Sequence, residues 1–183
     1  MPSKAKKLLD LIGSIESAKG YNYEFGNREV PLDQMTIEEV LEHQKKRRKE
    51  GKPSSAVGRY QFIHKTLEDL ARHNPNDLPK DALFTPEVQD KAAEMLLQRR
   101  GLSDYEAGNL SDEEFLLNLS KEWASLPNPE TGASYYDKDG LNKSLVPVDA
   151  VLEAARTVKQ PEMTEEEMLA RQRQQVSMLR GMP

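Results

Sequence analysis

Cysteine is absent from the 183 residues, which removes disulfide scaffolds, thiolate metal sites and cysteine nucleophiles together. Histidine is scarce. His43, His64 and His73 are the full set, too few and too scattered to suggest a zinc site, and no metal or other cofactor is expected. No stretch approaches the ~18 uncharged apolar residues of a membrane span, since the longest cluster, Leu8-Leu9 with Leu11-Ile12, is broken by Asp10 and Gly13. The N-terminal lysines would suit a signal peptide, but Asp10 and Glu16 interrupt the apolar core such a segment needs, so no cleavable secretion signal is expected. Aromatic residues make up only 6%, and 31 acidic against 26 basic residues leave a net charge of −5. That balance disfavours a dedicated nucleic-acid binder.

What is present suits one modest core. Hydrophobic residues account for 37% of the chain, enough for a single domain of this length. Helical spacing dominates: Leu8, Leu9, Leu11, Ile12 and Ile15 share a broad apolar face. Thr36 with Glu39 and Ser111 with Glu114 are capping boxes, and Thr85-Pro86 is an N-cap followed by proline at the first helical position. Gly101 after Arg99-Arg100 ends one helix, and Pro147 starts another. The segment Ala56-Val57-Gly58-Arg59-Tyr60-Gln61-Phe62-Ile63 lacks this period and reads as a short strand or ordered loop. Residues 18–34 and 126–145 read as loops. The expectation is a helical domain with a small β element over residues 1–160. Residues 161–183 then form an appended amphipathic helix that docks either on the domain or on a partner protein.

Four groups of residues are candidates for chemistry. Glu16 ends an apolar helix and precedes a loop with Tyr21, Tyr23 and Phe25. A carboxyl desolvated there holds a proton near neutral pH, as a general acid must, although a glutamate at a helix end is more often a solvated surface residue. Gly58-Arg59-Tyr60-Gln61 offers close backbone approach, a flat aromatic face and an amide, a combination suited to N-acetylated sugars; on composition alone a plain strand with Tyr60 or Phe62 in the core is the preferred reading. Trp123 continues the stripe of Phe115, Leu116 and Leu119 and reads as core, with Tyr135-Tyr136 on the loop beyond it. The run Lys45-Lys46-Arg47-Arg48-Lys49 with Lys52 is a candidate phosphate-binding patch, but a solvated helix end is the plainer reading, because no aromatic residue interleaves the charges.

Taken in order, Ser14-Ile15-Glu16-Ser17, Tyr21-Asn22, the run from Ser55 to Ile63, Gln89-Asp90, Arg99-Arg100-Gly101 and Trp123-Ala124-Ser125-Leu126-Pro127 resemble the bacteriophage lambda endolysin family. Its members are phage lysozymes of glycoside hydrolase family 104 that act as lytic transglycosylases. The resemblance covers roughly residues 8–158. It implies a mainly α, lysozyme-like α+β fold with a peptidoglycan cleft. Glu16 is then the catalytic acid, Tyr60 and Gln61 stand on the cleft wall, and Ser17 orients the local backbone or the carboxyl. Tyr135 and Tyr136 are the remaining candidate sugar contacts. A hydrolytic lysozyme would need a second carboxylate, for which Asp33 and Glu24 are the nearby candidates. A third reading is a lysozyme-fold virion structural protein with little turnover, joined to other virion proteins through residues 161–183. The implied site of action is the host cell wall in the periplasm, reached from the infected cytoplasm or from the virion.

Overall fold

A computed structural model describes residues 4–139, 143–159 and 173; apart from Arg173, the proposed tail helix and its partner contacts lie outside these. Seven α-helices occur among the described residues, with one two-stranded sheet. They are α1 (Lys6–Glu16), α2 (Ile37–Lys49), α3 (His64–His73), α4 (Pro86–Arg99), α5 (Leu102–Glu106), α6 (Asp112–Ser120) and α7 (Val148–Arg156). No helix among the described residues is long and apolar enough to cross a membrane.

The capping signals act where the sequence places them. Thr36 accepts from the Glu39 amide while Glu39 reaches back to the Thr36 N–H, and Ser111 and Glu114 repeat the arrangement. Thr85 caps α4 ahead of Pro86. Gly101 takes a φ of 98°, the left-handed conformation that closes α4 and opens α5. Helix α1 buries Leu8, Leu9, Ile12 and Gly13 and packs on α7 and α4. Leu97, Phe115, Leu119 and Trp123 join the same continuous core.

Two readings need correction, and α3 is an element that the sequence reading did not include. Residues 18–34 are not simply a loop, because Tyr23–Glu24 (β1) pairs antiparallel with Arg28–Glu29 (β2) and a 3-10 turn follows at Leu32–Gln34. Strands of two residues leave no alternation to detect. Helix α3 carried no start signal: Ile63 precedes it without a side-chain cap. The basic run is not uniformly solvated either. Arg47 is buried and ion-paired with Glu24, itself stripped of exposed surface.

The segment 56–63 is an ordered turn rather than a strand. Val57 and Phe62 exchange both backbone hydrogen bonds, with Gly58 at φ 78° and Gln61 at φ 49° between them. A Cβ on Gly58 would sit 2.3 Å from Gln89 Oε1, so glycine is required for contact as well as for conformation. Gln89, fully buried on α4, accepts from the Arg59 amide and donates to the carbonyls of Phe84 and Tyr21. Next to it, Asp90 accepts from the hydroxyls of Tyr21 (2.9 Å) and Tyr60 (2.7 Å). Two consecutive residues of α4 thereby hold the Gly58 turn and the Tyr21 loop in place.

Candidate active site

A cleft of about 280 Å³ opens where α1 ends, between the 56–63 turn and the segment after α6. Glu16 stands in its wall because α1 terminates there, with the Ser17 amide closing the last turn onto Gly13. The Glu16 carboxyl accepts the hydroxyl of Ser125, 109 residues away in sequence. Burial raises its pKa from 4.5 to about 7, against the lowering effect of the Ser125 side-chain and backbone hydrogen bonds. The helix C-terminus adds partial negative charge beside it, which further disfavours ionisation. No cation pairs with Glu16 among the described residues. Such a carboxyl can give up or take a proton near neutral pH.

Ser125 is itself held on both sides. Its carbonyl accepts the Leu145 amide at 3.0 Å, and the adjacent Ala124 carbonyl accepts the Ser134 hydroxyl at 2.6 Å. The 126–145 loop therefore fixes the residue that orients the acid. Opposite, Arg47 donates to the carbonyls of Phe25 and Ser54, two residues of the cleft rim. Phe25 and Ile63 keep 48% and 47% of their surface exposed there, which leaves apolar faces open at the rim.

Tyr60 lines the cleft but is 2% exposed. Its hydroxyl is committed to Asp90, and burial followed by that hydrogen bond drives its pKa upward, so it serves as a wall. Gln61 lines the cleft too, with its amide turned back onto the carbonyls of Gly58 and Tyr23. Ser17 is buried and donates to the Gly20 carbonyl. It shapes the backbone after Glu16, while Ser125 contacts the carboxyl. Tyr135 and Tyr136 are exposed, edge-on to one another, with the Tyr136 hydroxyl on the Lys121 carbonyl; neither lines the cleft.

The carboxylates weighed as second catalytic groups also lie elsewhere. Glu24 is enclosed by Arg28, His43 and Arg47, and Asp33 sits in the 3-10 turn; the cleft lining includes neither. The other carboxylate in the lining is Glu122, and both Arg99 (3.1 Å) and Arg100 (2.8 Å) pair with it. Sequence reasoning missed Ser125 as the partner of Glu16, and it named Phe25 and Ile63 only as members of the loop after Glu16 and of the 56–63 segment. Only the Trp123-Ala124-Ser125-Leu126-Pro127 motif pointed toward the first.

A mainly helical fold with one small sheet and a desolvated glutamate in an open cleft defines a lysozyme-like protein. The model of the Endolysin family matches residues 8–147, and the chain belongs to that family of phage-encoded, peptidoglycan-degrading enzymes. Among solved structures, bacteriophage lambda lysozyme complexed with a chitohexasaccharide has a similar fold. Its TM-score is 0.53 at 17% identity, covering 89% of this chain and 98% of the other. No curated protein matches the sequence.

Proposed function

We propose that the protein is a lytic transglycosylase that cleaves the β-1,4 bond between N-acetylmuramic acid and N-acetylglucosamine, with Glu16 as its catalytic acid and base. Protonated Glu16 donates to the bridging oxygen, the bond from C1 to that oxygen breaks, and N-acetylglucosamine leaves with a free 4-hydroxyl. Positive charge develops at C1 and is relieved by the substrate's own N-acetyl oxygen. The Glu16 carboxylate then takes the proton of the C6 hydroxyl, whose oxygen attacks C1 and closes a 1,6-anhydro ring. The proton balance closes on one carboxyl and no water is consumed.

The observation that carries this reading is the single unpaired carboxyl among the described cleft residues. Glu122, held by two guanidiniums, is neither a free nucleophile nor a free base. Hydrolysis with either stereochemistry generally uses a second carboxylate about 5–9.5 Å from the first. Tyr60 and Gln61 act in this account as the cleft wall against the sugar, and Ser17 as support for the turn after Glu16. Mass analysis of fragments released from purified peptidoglycan tests it. Anhydromuramic ends with no label from ¹⁸O-water are expected, and labelled reducing ends would make the enzyme a hydrolase.

A further inference from the structure

Beyond the cleft, across Ser54 and Ile63, which line both spaces, lies a second pocket of about 420 Å³. Arg48, Lys52 and Lys65 line it, and no carboxylate does. None of the three cations has an ion-pair partner among the described residues, unlike Arg47, Arg99 and Arg100. The pocket lies at the N-terminus of α3, a ten-residue helix with no acidic residue in its first turn, whose first N–H, that of His64, donates to the Ser55 hydroxyl at 3.1 Å. That end carries partial positive charge. His64 gives a second, independent indication. Its side chain is 8% exposed and lines the pocket, and its Nε2 is buried without a hydrogen-bond partner. Its other ring nitrogen lies 4.0 Å from Glu68. A buried polar atom left unpaired costs free energy until a ligand satisfies it.

We infer that this pocket binds carboxylates of the peptide stem on the glycan strand lying in the cleft, an inference that rests on the peptidoglycan reading above. Continuity decides the occupant. A strand whose sugars lie against Phe25 and Ile63 carries its lactyl-linked peptides past the same rim, and the anionic groups of those peptides are carboxylates. The substrate would then be peptide-bearing peptidoglycan in preference to bare glycan.

Two measurements test this on the full chain. The first compares kcat/KM of the wild type and of Arg48→Ala/Lys65→Ala on peptide-bearing strands and on strands whose stems have been removed. Loss of two charge-assisted contacts should lower the value on peptide-bearing strands about tenfold more than on bare ones; equal losses on both, or none, would overturn the inference. The second follows the His64 ring resonances of Glu16→Gln during titration with a muropeptide disaccharide. They should move with the stem-bearing ligand and stay still with the same disaccharide lacking its stem. No movement, or equal movement with inorganic phosphate at the same concentration, would also overturn it. A wild type that cleaves neither strand while His64 still responds to the stem refutes the transglycosylase reading and leaves the pocket standing.

Discussion

Glu16 and Glu24 lie eight residues apart, the first partly and the second fully buried, yet their carboxyl pKa values move in opposite directions. Glu16 has neutral partners only, the Ser125 hydroxyl and amide, and burial carries its pKa up to about 7. For Glu24 burial also pushes upward, but hydrogen bonds from Arg28 and His43 and the charge of Arg47 outweigh it and hold the carboxyl below its ordinary range. Depth therefore does not decide what a carboxyl does; the charge of its neighbours does. One glutamate is kept as an acid beside an open cleft. The other is a fixed anion that fastens the hairpin to α2 and, through Arg47, steadies Phe25 and Ser54 at the rim.

Substitutions sharpen this contrast. The largest expected effect is on activity: Glu16→Gln takes away the carboxyl proposed to make both proton transfers and should lower lytic rate by at least about 10³-fold, read by turbidity loss of a peptidoglycan suspension with circular dichroism unchanged. Next comes Arg47→Met, which strips Glu24 of its buried partner and should cost about 3–5 kcal/mol in urea unfolding. Adding Glu24→Gln should restore part of that loss; if it does not, the pair is not what Arg47 contributes.

A third effect has the opposite sign. Folded Glu16 keeps its proton to about pH 7, whereas an unfolded glutamate releases it near 4.5. The folded state thus binds more protons between these values, and stability falls as pH rises through them. Glu16→Gln escapes this loss. It should match the wild type below pH 4.5 and exceed it by up to about 3 kcal/mol at pH 8, measured as the gap between unfolding midpoints across pH. Glu24 runs the other way, contributing stability above the usual carboxylate range that is lost as pH drops through its lowered pKa. The smallest effect belongs to Ser125→Ala. Removing a hydrogen bond that favours the carboxylate should raise the Glu16 pKa further and shift the alkaline limb of the pH–activity profile upward, with kcat reduced about tenfold. An unshifted limb would mean that Ser125 does not govern the acid.

Local signals in the chain carried a large part of the fold. Thr36, Thr85 and Ser111 mark helix starts by chemistry that acts within four residues, so each was readable in isolation. Helix α3 was not, although His64, Leu67, Leu70 and Ala71 recur at helical spacing, because it begins at an uncapped residue directly after an irregular turn. Arg47 was hidden inside a run of cations. Its position seven residues after Val40 and three after Gln44, on the buried stripe of α2, is the one sign that it turns inward.

The candidate site divides along the same line. By itself the sequence determined the capped helix starts, the family likeness and Glu16 as the carboxyl to suspect, since these depend on residue order and short-range spacing. Only the tertiary structure decided which serine holds Glu16, that Tyr60 spends its hydroxyl on Asp90, and that Tyr135 and Tyr136 stand away from the cleft. The first two of those outcomes depend on contacts between residues 30 and 109 positions apart, and the Tyr136 contact spans 15. Burial and hydrogen bonding act through space, and spacing along the chain carries no record of which distant group arrives.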